Sequence, residues 1–374
     1  MNFDFSDDQK LLKESVKKML SDKCDLGRVR KVLDGDEPFA KDVWDALVEM
    51  GVTGTAIPEE YGGLGLGALE LCVVAEELGR SAAPVPFSSS VYLATEALLV
   101  AGTEEQKQAW LPKLASGEVI GTFAMAEGFT AASPRTVEVA FNGGKLNGTK
   151  VAVPDGDIAD VAVVLANTGG SGDKALSLVV VDLKASGVSI ETVKTIDPTR
   201  SHANITFKDA PAELMGTEGD GWASTSSVFD SAAVLMAFEQ IGGAEAAMWM
   251  ARDYALERYA FGRLIGSYQA IKHKIADMYV KLELARSNCY FGAMMLNDKG
   301  AELPEAAAAA RISATEAYRY AAQENIQVHG GIGYTWEADT QFYFRRSKLL
   351  ALALGSALEW KDKLVARLET RNAA

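Results

Sequence analysis

The sequence predicts an α+β multidomain protein: an N-terminal helical domain, a middle antiparallel β domain and a C-terminal helical bundle. Three observations predict it. Apolar residues recur at helical spacing up to about residue 118, the texture changes to short β-branched runs between about 119 and 215, and long Ala-rich tracts return from about 222. The expected domains are therefore 1–118, 119–220 and 221–374. A chain of 374 residues is two to three domains' worth at roughly 150 residues each, enough to bury a large core.

The first helix opens at Ser6, which with Gln9 three positions on has the form of a capping box, and Leu11, Leu12, Val16, Met19 and Leu20 then share one helical face. Further helices are expected near 41–50, 68–79, 91–101 and 104–115. The Gly-rich stretch Pro58–Gly67 lacks a preceding strand and a βαβ setting, so a dinucleotide fingerprint is not expected there. Strands are expected at Thr136–Phe141, Leu146–Val153, Asp160–Ala166, Leu176–Val181, Val188–Val193 and Asn204–Phe207, separated by turns such as Asn147-Gly148. Long helices over 231–256, 267–297, 304–330 and 339–370 make the bundle.

Composition excludes several functions. Against 51 Asp and Glu stand 37 Lys and Arg, a net charge of −14, which argues against nucleic-acid binding as the main role. No uncharged apolar run reaches the roughly 18 residues of a membrane span, and MNFDFSDDQK lacks the basic and apolar regions of a signal peptide, so no membrane association and a cytoplasmic location are expected. Cys24, Cys72 and Cys289, like His202, His273 and His329, are scattered without metal-ligand spacing, so neither a metal site nor a disulfide framework is expected.

Six segments, IPEEYGGLGLG at 57–67, EELGR at 76–80, GTEEQKQAWLPKLASGE at 102–118, DPTR at 197–200, ERYAFGRLIGSYQAIKHKIADM at 257–278 and QVHGGIGYTWEADTQFYFRRSK at 327–348, resemble the acyl-CoA dehydrogenase family in order and over essentially the whole length. The resemblance implies FAD held between the β domain and the bundle, closed by a neighbouring subunit. It also implies removal of two hydrogens from an acyl-CoA thioester: a carboxylate takes the α-proton while a hydride moves from Cβ to the flavin. Electrons then pass to an electron-transfer flavoprotein. On the family's motif, Arg258 reaches the FAD diphosphate with a fork of N–H donors, Phe261 and Gln269 match contacts to the adenosine half, and Gln327, Gly330 and Gly331 form a Gln-x-x-Gly-Gly turn whose bare backbone approaches the diphosphate. A helix C-cap explains the same glycines and is compatible with that role.

Elsewhere the chain departs from the family. The Thr-Glu-Pro-x-x-Gly-Ser-Asp loop reads Ala126-Glu127-Gly128-Phe129-Thr130-Ala131-Ala132-Ser133, and Ala152 and Pro154 stand where a flavin-facing aromatic and a hydroxyl residue are expected. Proline offers neither hydroxyl nor N–H. The two places a family glutamate base occupies hold Leu354 and Ala232. Asp230 faces away from Ala232 on a helix, and Glu239 lies about two turns beyond it, roughly 10 Å along the axis, where a shifted substrate could meet it. A capping or surface role is the commoner use of such a residue. The pattern resembles the small, base-lacking subunits of heteromeric members acting on sterol-like or dicarboxylic acyl-CoAs. It implies a heterotetramer with a paralogous acyl-CoA dehydrogenase subunit that binds most of the acyl-CoA, FAD being shared across the interface. An independently active homo-oligomer and a non-catalytic relative are the alternatives.

Overall fold

The computed structural model describes residues 5–373. In chain order come α1 (Asp7–Lys23), α2 (Leu26–Asp34), α3 (Lys41–Glu49), α4 (Ala68–Arg80), α5 (Glu96–Ala101) and α6 (Glu104–Ala115). Then follow β1 (Gly121–Ala124), β2 (Ala140–Asn142), β3 (Lys145–Pro154), β4 (Val161–Asn167), β5 (Leu176–Asp182), β6 (Val188–Thr192), β7 (His202–Pro211) and β8 (Glu213–Met215). The last part holds α7 (Gly221–Glu257), the short β9 (Tyr259–Ala260) and β10 (Arg263–Leu264), α8 (Gln269–Asn297), α9 (Leu303–His329), α10 (Thr340–Leu350) and α11 (Ala357–Ala373). The expected helical, β, helical order is the order found. The chain forms two compact units, one of Met1–Lys31, Ala68–Ala83 and Ala233–Ala374, the other of Val32–Gly67 and Pro84–Ala232.

The first unit is helical. The capping box of α1 is present: the Gln9 N–H donates to Ser6 Oγ at 3.2 Å, and the Ser6 N–H to Gln9 Oε1 at 2.9 Å. Two orphan donors of the first turn are thereby satisfied. Helices α8 and α9 run antiparallel, Lys274 pairing with Glu324 near one end while Gly292 faces Ala310 near the other. Helices α4 and α7 cross with backbones almost in contact, since a Cβ on Gly79 would lie 1.8 Å from the Glu239 carbonyl oxygen and one on Gly242 would lie 1.9 Å from that of Glu76. Beside this crossing, a half-buried hub around the buried Glu76 ties α1, α4, α7 and α8: Glu76 accepts from Lys13 and Arg286, both at 2.6 Å, and Glu245 accepts from Arg80 and Arg286 at 3.0 and 2.9 Å.

The second unit holds the eight-stranded sheet, in the order β6-β7-β3-β2-β4-β5-β8, with β1 added to β4. The sheet is mixed rather than purely antiparallel as expected, because β1 runs parallel to β4 with Phe123 opposite Val163, and β2 meets β4 in parallel at Ala140 and Asn167. Strand β1 falls outside the strands the sequence suggested, being four residues long and buried on both faces with no alternation to reveal it. The expected strand over 136–141 is reduced to β2, since a turn over Ser133–Thr136 takes the first residues: the Ser133 N–H donates to Thr136 Oγ1 at 2.8 Å and the Thr136 N–H to the Ser133 carbonyl at 3.0 Å.

Three helical expectations also change. The stretch 91–101 is a wide π turn over Ser88–Thr95 followed by α5. Helix α7 begins ten residues before the expected 231. The helix expected over 339–370 breaks at 351–356, where Gly355 takes φ +95° and Ser356 caps a fresh helix. There the Glu359 N–H donates to Ser356 Oγ at 3.2 Å and the Ser356 N–H to Glu359 Oε2 at 2.6 Å, a capping box that starts α11. The thiols of Cys24, Cys72 and Cys289 are buried and unbridged.

Candidate functional site

All six residues expected to bind a cofactor stand at one end of the bundle. Arg258 follows α7, its N–H donating to the Tyr254 carbonyl at 2.9 Å, Phe261 forms the tip of the β9–β10 hairpin, and Gln269 opens α8. Gln327 lies in the last turn of α9, and Gly330 and Gly331 follow it. The ring of Tyr254 on α7 stacks on that of His329 on α9, centroids 4.1 Å apart and planes 23° from parallel. The Lys274–Glu324 pair brings the start of α8 to the same end of α9. Arg258, Gln269, Gln327 and Gly331 are exposed, and Phe261 is 97% exposed.

The hairpin holds Phe261 out at a conformational cost. Phe261 and Gly262 both have positive φ, +52° and +80°, the geometry of a two-residue turn joining twisted strands. Glycine enters this region freely, whereas a bulky residue there is strained by about 1–2 kcal/mol. The turn is braced from within: Tyr268 Oη donates to the Ala260 carbonyl at 3.0 Å, the Ile265 N–H donates to the Arg258 carbonyl at 2.8 Å, and the Arg263 guanidinium sits 3.9 Å from the Tyr268 ring centroid.

The two glycines differ. Gly330, with φ +64°, caps α9 by donating its N–H to the Gln327 and Ile326 carbonyls, so helix termination accounts for it. Gly331 does not have a positive φ, and a Cβ there would meet nothing within 4 Å. Neither backbone conformation nor packing within the chain demands glycine at that place. Three neighbours were not among the expected site residues: Tyr254, His329, and the exposed Tyr334, whose hydroxyl donates to Gln327 Oε1 at 3.5 Å. The segment GIGYTW directly after the glycines was the signal for the last of them.

The departures from the family pattern have structural uses. Glu127 accepts from the N–H groups of Glu138 and Val139 at 2.7 and 3.1 Å and from Lys150 Nζ at 2.6 Å. Burial lowers the Lys150 ammonium to about 8, against the opposing pull of Glu127. Ala152 is exposed with φ +48°, its N–H donating to Asn204 Oδ1 at 3.1 Å, and the Pro154 carbonyl accepts from Thr122 Oγ1 at 2.5 Å. Asp155 is buried and accepts from Ser89 Oγ at 2.6 Å, while Arg200 donates to Ser88 Oγ at 2.8 Å.

No proton acceptor stands at either expected base position. Leu354 is 1% exposed, its carbonyl accepting from Trp360 Nε1 at 3.0 Å, and Ala232 is fully buried. Glu239 is neither a helix cap nor a surface group: it is fully buried, with Oε1 3.6 Å from the Arg346 guanidinium. Arg346 also donates to the Ala82 and Ala83 carbonyls, both at 3.2 Å, so this pair belongs to the packing of α7 and α10 against the segment that follows α4. Asp230 is likewise buried.

Comparison with known proteins settles the family. Sequence profiles of the acyl-CoA dehydrogenase N-terminal, middle and C-terminal domains match residues 6–118, 122–210 and 219–360. The chain belongs to the acyl-CoA dehydrogenase family. It is 33% identical over 367 residues to acyl-CoA dehydrogenase IpdE2 of Mycobacterium tuberculosis, covering 97% of each chain. Among solved structures it is similar to the ChsE4–ChsE5 complex of Mycobacterium tuberculosis, at 26% identity, TM-score 0.89 and 99% of each chain. It is also similar to a variant of the Tcur3481–Tcur3483 steroid ACAD, at 28% identity and TM-score 0.87, over 98% of this chain and 99% of the other. Membership of this acyl-CoA dehydrogenase family implies FAD. The bundle end suits it: an arginine fork, an outward aromatic ring, two glutamines and a bare backbone at Gly331, where the chain itself leaves open space.

Proposed function

We propose that this chain is the base-lacking subunit of a heteromeric acyl-CoA dehydrogenase and lends its exposed bundle end to the FAD site of a paralogous subunit, for the α,β-dehydrogenation of an acyl-CoA thioester. FAD supplies the hydride acceptor of that reaction. Arg258 holds the diphosphate, Phe261 and Gln269 hold the adenosine half, and Gln327 with the backbone of Gly330 and Gly331 closes on the diphosphate. The carrying observation is an asymmetry: the six lending residues are gathered at one end, five of them exposed and Gly330 half-buried, while leucine and alanine occupy both base positions. Loss of a general base costs 10² to 10⁴-fold in rate, so proton removal falls to the partner. The buried Glu239–Arg346 pair speaks against a relocated base. Likeness to a steroid ACAD supports a bulky sterol-derived acyl-CoA as substrate, and the family resemblance implies an electron-transfer flavoprotein as acceptor.

Purified alone, the chain is expected to be colourless. Co-expressed with a paralogous, base-bearing acyl-CoA dehydrogenase subunit, the complex is expected to be yellow, and Arg258→Ala is expected to release the flavin without changing the chain's circular dichroism. A stoichiometric flavin band in the isolated chain, bleached by an acyl-CoA, would overturn the reading.

A further inference from the structure

The two arms of the bundle end come from helices far apart in sequence, and the aromatic stack joins them. Arg258 and the Phe261 hairpin hang from α7, whereas Gln327, Gly330 and Gly331 hang from α9. Tyr254 sits one turn before Arg258 and bonds it through the backbone, and His329 directly precedes Gly330. Their rings meet at 4.1 Å. His329 Nδ1 is further fixed 2.9 Å from the Asn325 carbonyl, and Asn325 Nδ2 donates to Met250 Sδ at 3.3 Å, a second tie between the helices one turn away. The turn after the glycines packs against the end of α9 at the root of the His329 side chain, since a Cβ on Gly333 would lie 2.5 Å from the Ile326 carbonyl oxygen and 2.9 Å from His329 Cβ. The ring is thus held between Tyr254 of α7 and the Asn325 carbonyl of its own helix.

We infer that Tyr254 and His329 are positioning residues that set the spacing between the arginine arm and the glycine arm of the cofactor site. The inference rests on the proposed flavin role of those arms. Neither ring has to touch the cofactor; together they fix the angle at which α7 and α9 end. A flat ring at 329 keeps this geometry, and a methyl does not.

The test uses the full chain alone and in its co-expressed complex. In the chain alone, His329→Ala is expected to speed amide hydrogen exchange over 254–264 and 330–334 while the cores of α8 and α9 stay protected, and His329→Phe is expected to restore protection. In the complex, His329→Ala is expected to weaken FAD retention roughly fivefold, on the usual strength of an aromatic pair, with His329→Phe close to the unaltered chain. Unchanged exchange in His329→Ala would overturn the inference, as would equal loss in the alanine and phenylalanine variants. Altered exchange together with an Arg258→Ala complex that keeps its flavin would leave the joint standing and remove the flavin reading instead.

Discussion

Glu127 shows how a single side chain survives when its neighbours change. Of the loop that in the family surrounds the flavin it is the recognisable remnant, and its carboxylate is used up on two backbone N–H groups and the Lys150 ammonium. Removing one member of a buried, hydrogen-bonded ion pair strands the other charge, so Glu127→Ala is expected to destabilise the chain by about 3 kcal/mol or more, measured by urea unfolding. Lys150→Met in the same background should recover part of the loss, because the stranded ammonium is then gone. The site was legible at this scale only where a motif carries it. Gln327, Gly330 and Arg258 could be placed from the sequence. Tyr254 and His329 could not, because an aromatic and a histidine 75 positions apart carry no local mark of their stacking.

Elements were legible where their ends are chemically marked. Ser6 with Gln9 and Thr103 with Gln106 are capping boxes, and α1 and α6 begin there. One marked end was still passed over: Gly355 and the Ser356–Glu359 capping box break α10 from α11, but apolar residues continue through Leu349, Leu350, Leu352 and Leu354 at helical spacing and outweigh them in the pattern. The π turn over Ser88–Thr95 was hidden for another reason. Its consecutive serines are held by groups distant in sequence, Arg200 for Ser88, Asp155 for Ser89 and the Gly121 N–H for Ser90, and no local propensity encodes such partners. The α4–α7 crossing makes a sharp prediction about elements. Gly242→Ala puts a methyl 1.9 Å from the Glu76 carbonyl oxygen, which only a shift of a whole helix relieves. Overpacking of this kind costs about 3 kcal/mol, and a fall in the thermal midpoint with unchanged helical content at low temperature would register it.

For the whole molecule, the charge hub around Glu76 shapes the response to acid. Burial alone would raise the Glu245 carboxyl, but Arg80 and Arg286 hold it down at about 2, and Lys13 and Arg286 likewise lower Glu76 against its burial. A carboxyl whose folded value lies below its unfolded value of about 4.3 stabilises the fold above that value and ceases to as the pH falls toward 2. The thermal midpoint is therefore expected to drop between about pH 4 and pH 2, and Glu245→Gln to flatten that part of the profile while lowering stability at neutral pH by about 2 kcal/mol. The hub also bears on synthesis, because the helical unit is built from three separate stretches of chain. Glu76 and its partner Arg286 are 210 positions apart. At ribosomal speeds Glu76, whose partner Lys13 is made before it, waits roughly 10 to 40 s for the second of its two cations. A message cut short before α8 would yield a polypeptide in which α7 is present to cross α4 but Arg286 and the α8–α9 pair are missing, a natural substrate for chaperones and proteases.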